Sequence, residues 1–215
     1  MKVDLYDSKG TKKGDVTLND DIFAAKINPD LMHRSVVMRL SNRRINIAHS
    51  KTRGEVSATT AKAFKQKGTG RARRGAKSTS LLRGGGVAHG PRNIRNFVKD
   101  MPQKERRAAL FSSLTVKAND KEIFALDKFD LTEPRTKDFA SLLQKLPTAE
   151  KYLFVLPAKN EIFTKSSSNL QNVKVILANY LNPYDVLHAD KICFLKDAFT
   201  TLEETFLTKA AKGLL

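Results

Sequence analysis

The fold class is decided by a short apolar run, Tyr152-Leu153-Phe154-Val155-Leu156, and by three similar runs at Ile123–Leu126, Val173–Leu177 and Ile192–Leu195. Helices are predicted between and after these runs, near Arg135–Leu146, Asn160–Ser168, Pro183–Leu187 and Phe199–Lys212. Continuous apolar strands that alternate with helices are typical of a mainly parallel sheet covered on both faces. The sequence therefore predicts an α/β fold.

Working outward from the runs, the N-terminal part predicts further elements of the same domain. Val3–Tyr6 and Val16–Leu18 have the alternation of a hairpin, and Asn28-Pro29 marks the start of a helix. Another helix is predicted to begin at Asp100-Met101-Pro102 and to end near Lys117. The predicted organisation is a single globular α/β domain formed by residues 1–45 and 100–215, with an extended loop at 46–99 inserted into it.

The positive charge of the chain is concentrated around this loop. The net charge is +17, and 18 of the 39 Lys and Arg residues but only three of the 22 acidic residues lie between Arg43 and Arg107. The same segment holds eight of the eleven glycines and few large apolar side chains. Such a segment cannot bury enough apolar surface to offset the entropy lost on ordering. We expect it to be extended or disordered unless a partner holds it, and its charge predicts a polyanion as that partner.

The densest basic motif in the loop is Lys65-Gln66-Lys67-Gly68-Thr69-Gly70-Arg71-Ala72-Arg73-Arg74-Gly75, which has five cations in eleven residues. Its glycines allow the backbone to approach a phosphate closely. Lysine neutralises a phosphate as a point charge, whereas arginine can fork two hydrogen bonds onto it or stack on a base. The motif indicates contact with nucleic acid, and the alternative is a solvated basic run such as a localisation signal.

A second motif, Arg83-Gly84-Gly85-Gly86-Val87-Ala88-His89-Gly90-Pro91-Arg92, has the same chemistry with more glycine. The three consecutive glycines indicate either tight turns and close packing or a flexible linker, and the sequence does not separate the two. His89 lies among glycines and arginines, so it is interpreted as an RNA contact rather than a general base.

Catalytic, metal and cofactor sites are not predicted. The segment Gly70–Ser78 approaches the phosphate-binding pattern G-x4-G-K-S, but the extra residue Ala76 breaks its spacing and no apolar strand precedes it. The four histidines are scattered, and Cys193 is the only cysteine, which excludes a zinc cluster and an internal disulfide. No cofactor is therefore expected.

The partner is predicted to be RNA rather than DNA or a membrane. Reading of B-DNA requires a rigid helix or ribbon in the major groove, and the loop offers neither. A long basic segment with many glycines suits the irregular surface of folded RNA. No apolar run approaches the roughly 18 residues of a membrane span, and Met1–Tyr6 resembles a strand rather than a signal peptide. We expect a soluble, intracellular protein.

Three motifs are specific enough to indicate a family: Thr52–Val56, Lys65–Arg73, and Gly84–Val87 followed by Gly90-Pro91. Together they resemble the bacterial large-subunit ribosomal protein L4 family, and the order of elements matches along essentially the whole chain. The Gln-Lys-Gly-Thr-Gly-Arg-Ala-Arg core is highly specific. The α/β part alone would identify no family.

The resemblance implies a non-enzymatic structural constituent of the large ribosomal subunit. In the family, the globular domain binds large-subunit ribosomal RNA, and the loop threads inward so that its tip lines the nascent-peptide exit tunnel. The tip would be Phe64–Arg71, between arms at Thr52–Ala63 and Ala72–Arg95. Members act early in assembly, and some repress their own message. The implied partners are ribosomal RNA, neighbouring ribosomal proteins and the nascent peptide, in the cytoplasm of a bacterium or in an organelle that encodes the protein.

The chain departs from the family pattern at two places near the tip. The family has a glycine run and Lys-Pro-Trp where this chain has Ala58-Thr59-Thr60-Ala61-Lys62-Ala63-Phe64. It has Ser-Pro-x-Trp where this chain has Ser78-Thr79-Ser80-Leu81-Leu82. These differences concern the shape of the tip rather than the family.

The predicted RNA contacts combine charged, glycine and polar residues of the loop with two arginines just before it and two arginines of the following helix. They are Arg43, Arg44, Lys51, Arg53, Lys62, Lys65, Gln66, Lys67, Gly68, Thr69, Gly70, Arg71, Arg73, Arg74, Lys77, Arg83, Gly84, Gly85, Gly86, His89, Arg92, Arg95, Arg106 and Arg107. Two rival hypotheses are an α/β enzyme with a basic insertion, for which Asn160, Asn179 and Asp197 have no recognisable catalytic spacing, and a free-standing regulator that binds messenger RNA.

Overall fold

The apolar runs form the centre of a six-stranded sheet in the computed structural model, which describes residues 1–8, 10–129 and 133–208. The strands are β1 Lys2–Tyr6, β2 Lys12–Thr17, β3 Ile123–Leu126, β4 Tyr152–Leu156, β5 Val173–Leu177 and β6 Lys191–Leu195. Their order in the sheet is β2-β1-β3-β6-β4-β5. β1 and β2 pair antiparallel, and the other neighbours pair parallel. The predicted α/β class is confirmed.

Helices cover both faces of the sheet. They are α1 Asp20–Phe23, α2 Pro29–Asn42, α3 Gln103–Asn119, α4 Thr136–Lys145, α5 Glu161–Ser167, α6 Pro183–His188 and α7 Lys196–Glu203. Successive residues of a strand point to opposite faces, so the continuous apolar runs supply two cores. Leu153 and Val155 of β4 belong to the core that includes residues of α1, α3, α6 and α7, whereas Phe154 belongs to the core with residues of α4 and α5.

Several boundaries differ from the predicted ones for local reasons. The helix predicted from Asp100 begins at Gln103, because Pro102 is the N-cap residue and its backbone angles are not helical. The helix predicted at 199–212 begins at Lys196 directly after β6 and continues as a π-helical turn, Glu204–Thr208, while 209–212 lies outside the described residues. The short helix α1 was not predicted, and the side chain of Asn19 caps it by accepting from Asp21 N at 3.0 Å.

Contacts within the chain separate two compact units. Met1–Arg39 and Asp100–Leu215 form the first, which we call the globular unit, and Leu40–Lys99 forms the second, which we call the loop unit. The sequence-based range of 46–99 remains a prediction of the segment that binds RNA.

Candidate nucleic-acid interface

The loop unit consists of an outgoing and a returning arm that are tied by backbone hydrogen bonds. Ser50 N donates to Pro91 O at 2.9 Å, and Val87 N donates to Lys51 O at 2.8 Å. Nearer the tip, Lys62 and Ala76 form an antiparallel bridge. Apart from this bridge, residues 43–99 contain neither helix nor strand. The two arms therefore run side by side without a regular sheet.

Polar side chains tie the arms where they join the neighbouring helices. Asn46 Nδ2 donates to the carbonyl oxygens of Arg92 at 3.1 Å and Arg95 at 2.8 Å. Asn42 exchanges two hydrogen bonds with the backbone of Lys99, at 3.0 and 2.8 Å. These bonds replace the apolar burial that the loop lacks. The structure thus shows extended arms that are paired with each other, and composition alone did not predict this pairing.

Close contacts at Gly86 also bring the two arms together, and those at Gly85 pack the returning arm against itself. A Cβ atom on Gly86 would lie 2.2 Å from the backbone nitrogen of Arg53, and one on Gly85 would lie 1.9 Å from the carbonyl oxygen of Thr79. Real Cβ atoms do not approach backbone this closely, so only glycine fits. Of the two alternatives for the glycine run, the structure shows close packing and not a flexible linker.

Glu55 and Arg92 form a forked ion pair between the arms. Arg92 Nη1 and Nη2 donate to the two carboxylate oxygens of Glu55, each at 2.7 Å, and Thr52 N donates to Oε2 at 2.8 Å. Because these donors stabilise the charged form, with the Arg92 hydrogen bond as the largest cause, the pKa of Glu55 falls from 4.5 to about 2. Arg92 was predicted to contact RNA, and the structure assigns it this internal contact.

The tip carries an excess of exposed positive charge. Ala63 N donates to Gly75 O at 3.3 Å and closes a turn whose cations, including Lys65, Lys67 and Arg71, are all exposed. No Asp or Glu occurs between Glu55 and Asp100 in the sequence, and Glu55 is already paired. The tip therefore presents cations that carboxylates of its own unit do not neutralise.

An aromatic side chain organises two further arginines. The guanidinium carbon of Arg44 lies 4.2 Å from the centre of the Phe97 ring, and that of Arg95 lies 4.9 Å from it. Cation–π contact of this kind orients the guanidinium groups. The sequence alone assigned no contact to Phe97. An aromatic residue two positions after a predicted RNA-binding arginine is the signal that could have identified this stack.

Exposed apolar side chains near this stack were also missed by the sequence analysis. Ile45, Ile47, Ile94 and Val98 are each more than 70% exposed. A soluble protein rarely leaves several large apolar side chains of one segment open to water unless a partner covers them. Their alternation with Arg and Asn in the sequence could have signalled a mixed apolar and basic surface.

The predicted contact residues fall into three groups in the structure. The first is exposed on the loop unit and contains Arg43, Arg44, Lys51, Arg53, Lys62, Lys65, Gln66, Lys67, Gly68, Thr69, Gly70, Arg71, Arg73, Arg74, Lys77, Arg83, Gly84, His89 and Arg95. The second is engaged within the loop unit and contains Gly85, Gly86 and Arg92. The third is on α3 in the globular unit, where Arg106 is exposed and Arg107 is half-buried. RNA contact by all of them stays a prediction.

Other kinds of site find little support in the described part of the chain. It contains no group of three or more His, Cys, Asp and Glu residues that could hold a metal ion. None of its helices is both long enough and apolar enough to cross a membrane. Cys193 is fully buried, and this burial raises the pKa of its thiol well above the usual value, so a reactive thiolate is not formed there.

Comparison with known proteins adds an independent result. Residues 16–205 match the model of the family described as "Ribosomal protein L4/L1 family". The chain is 42% identical over 204 residues to the large ribosomal subunit protein uL4 of Symbiobacterium thermophilum, covering 94% of this chain and 98% of that protein. It is 40% identical over 204 residues to the uL4 protein of Pelotomaculum thermopropionicum, covering 95% and 98%. The uL4 protein of Natranaerobius thermophilus is 40% identical over 205 residues, covering 95% and 99%.

Proposed function

The chain belongs to the ribosomal protein L4/L1 family, and from this premise we propose that its loop unit binds large-subunit ribosomal RNA. As a member of a ribosomal protein family, it is a structural component of the large ribosomal subunit rather than an enzyme. This removes the rival hypothesis of an α/β enzyme with a basic insertion. The proposed location is on the ribosome in the bacterial cytoplasm.

The observation that carries the proposal is the exposed, unneutralised charge of the tip. Lys65, Lys67, Arg71 and Arg73 are all exposed, and no acidic residue lies between Glu55 and Asp100. Each cation that meets a phosphate releases condensed counterions, so a cluster of this kind gives strong and salt-dependent binding. The hydrogen bonds between the arms support the tip in a preorganised form, which reduces the entropy lost on binding.

The position of the tip in the subunit is a second part of the proposal. The family resemblance indicates that Phe64–Arg71 reaches the nascent-peptide exit tunnel, and that the protein acts early in assembly. The sequence before the tip, Ala58–Ala63, lacks the glycines and proline of the family pattern, so the tip has its own local shape. A photoreactive group placed in a stalled nascent chain should crosslink to residues 64–71. Crosslinks confined to other proteins would contradict a tunnel position for the tip.

Binding to a large-subunit ribosomal RNA transcript tests the main proposal. The full-length chain in which Lys65, Lys67, Arg71 and Arg73 are all replaced by Ala should bind more weakly. The slope of log K against log salt should become shallower by about 3, because four cations no longer neutralise phosphates. Filter binding between about 50 and 200 mM salt measures both quantities.

The matched control removes the same charge from the globular unit. Lys2, Lys26, Lys137 and Lys151 are exposed there, and their replacement by Ala also lowers the net charge by four. If the cations of the tip bind the RNA, the globular-unit variant should lose less affinity than the tip variant. Its slope of log K against log salt should also stay closer to that of the natural chain. Equal losses in the two variants would show non-specific attraction and contradict the proposal.

A further inference from the structure

A cavity in the globular unit has the features of a nucleotide site. It has a volume of about 440 Å³ and is lined by residues of α2, α3, the segment 178–184 and the turn 204–208. This volume lies in the range of pockets that hold small molecules. Leu110 and Leu181, both buried, contribute to its apolar lining together with Phe206.

The charge of the cavity is entirely positive. Its lining includes Arg39, Arg106 and Arg107 but no Asp or Glu. The described residues provide none of these three arginines with an ion-pair partner. The nearby acid of α3, Glu105, lies 3.1 Å from Arg34 instead. Three guanidinium groups without carboxylates at one cavity are suited to a phosphate, which arginine can bind through two parallel hydrogen bonds.

An exposed aromatic ring stands at the same cavity. Tyr180 lines the cavity and is 73% exposed, more than any other tyrosine or phenylalanine side chain in the described part of the chain. A tyrosine ring in a positively charged setting is a platform on which a nucleobase can stack, and such stacking accepts any base. An amide pair, Asn179 and Asn182, lines the cavity beside the ring and can meet the polar edge of a base.

Hydrogen bonds fix the segment 178–184, which carries Tyr180 and forms one wall of the cavity. Asn182 Nδ2 donates to Tyr180 O at 3.3 Å, and Leu181 N donates to Ala178 O at 3.3 Å. The hydroxyl of Thr205 donates to Asn179 Oδ1 at 2.7 Å and thereby joins the turn 204–208 to the segment. A wall that is formed in advance loses little entropy when a ligand enters.

We propose that this cavity binds one unstacked nucleotide of the large-subunit ribosomal RNA. Its base stacks on Tyr180, and its phosphate contacts the arginines of α2 and α3. This inference rests on the proposed RNA-binding function and adds to it a specific subsite in the globular unit. A peptide segment of a neighbouring protein is a less suitable occupant, because the cavity combines three cations with an exposed ring and has no acceptor carboxylate for a basic chain.

The experiment compares two replacements of one side chain in the full-length protein bound to a large-subunit ribosomal RNA transcript. Tyr180→Ala should weaken binding by roughly 5- to 150-fold, the equivalent of the free energy of one stacked base. Its salt slope should be unchanged, because no charge is lost. Tyr180→Phe keeps the ring and should bind like the natural chain. Because Tyr180 is exposed, neither change should alter the thermal unfolding of the protein.

Two further measurements identify the occupant. Replacement of Arg106 and Arg107 by Gln should make the salt slope shallower by about 1.4, which is the value expected for two contacts with single-stranded phosphates. Ultraviolet crosslinking of the natural complex should join Tyr180 to a single nucleotide. The inference would be overturned if Tyr180→Ala bound RNA as well as the natural chain, or if Tyr180 crosslinked to a protein instead of a nucleotide in assembled subunits.

The outcomes also separate this inference from the proposed function. If the natural chain binds the RNA and Tyr180→Ala binds equally well, only the nucleotide subsite is wrong. If the natural chain itself does not bind the RNA, the proposed function fails and the subsite fails with it.

Discussion

The globular unit and the loop unit hold their chains together by different means. In the globular unit, Phe139, Phe154 and Phe163 are fully buried, and their ring centres lie 5.1 to 5.4 Å apart. The loop unit has two aromatic residues, and one of them, Phe97, contacts arginines instead of a core. Its arms are joined by hydrogen bonds to backbone carbonyls and by glycine contacts.

Because of this difference, we expect the stability of the chain and its binding of RNA to depend on different units. Apolar burial is the largest favourable term in folding, and both apolar clusters of the described residues lie in the globular unit. The loop unit can therefore carry a high density of like charge, whose repulsion acts outside the core. Substitutions in the globular unit should accordingly change the free energy of unfolding, and those in the loop unit should change the contacts between the arms and the binding of RNA.

The largest expected effect is in the aromatic core. Phe139→Ala should lower the free energy of unfolding by about 3–5 kcal/mol, because it removes a buried ring and leaves a cavity between neighbouring rings. Denaturant titration of the full-length chain measures it. The matched change in the loop unit, Phe64→Ala, should lower the same free energy by less than about 1 kcal/mol. A large loss in both variants would show that the loop contributes to the core and would contradict the separation.

The next effect concerns the close approach of the two arms. Gly86→Ala introduces a Cβ atom 2.2 Å from the nitrogen of Arg53, so the arms must shift, at a cost of about 1–3 kcal/mol. Hydrogen exchange of the Val87 and Ser50 amides, which bond across the arms, should become faster. The melting of the globular unit should not change.

Gly54→Ala is the control for this change. Gly54 lies in the same pair of arms, but a Cβ atom there would have no neighbour within 4 Å. In the Gly54→Ala variant, the Val87 and Ser50 amides should exchange hydrogen at the same rates as in the natural chain. If both variants exchanged alike, the close approach at Gly86 would not hold the arms together.

A smaller effect is expected at a helix cap in the globular unit. Asn160 Oδ1 accepts a hydrogen bond from Phe163 N at 3.1 Å at the start of α5. Asn160→Ala should lower the free energy of unfolding by about 1 kcal/mol, whereas Asn160→Asp, which keeps the acceptor, should lower it little. RNA binding should stay the same in both variants. A change in the salt slope with Asn160→Ala would place the RNA interface closer to α5 than we propose.

The sequence predicted the structure of the globular unit better than that of the loop unit, for a physical reason. The strands of the globular unit could be located because buried parallel strands are continuous apolar runs, as in Tyr152–Leu156. The paired arms could not be predicted, because the bonds of Asn42 and Asn46 join residues about fifty positions apart and leave no periodic pattern. The glycine run at 84–86 could be interpreted in two ways, since composition does not show what a missing Cβ would contact.

The cavity at Tyr180 was beyond sequence analysis for a similar reason. Arg106 and Arg107 were predicted as RNA contacts from their charge alone. Their meeting with Tyr180 depends on α3 and the segment after β5 coming together in space, although more than seventy residues separate them in the chain. Charge density marks a basic surface along the sequence, but only the fold shows which aromatic side chain shares it.

The smallest expected effect is at the ion pair between the arms. The pKa of Glu55 is about 2 in the folded chain, below its ordinary value of 4.5. A lowered pKa means that the contribution of the pair is complete above about pH 4.5 and is lost as the pH falls through 2. Glu55→Gln should remove this dependence and speed hydrogen exchange of the Thr52 amide, which bonds to the carboxylate.

The control is Glu133→Gln, which breaks an exposed pair with Arg135 in the globular unit and should leave exchange of the Thr52 amide unchanged. Carbon NMR of the Glu55 carboxyl group is the direct test, and a titration midpoint near 4.5 instead of 2 would show that Arg92 is free to contact RNA rather than held between the arms.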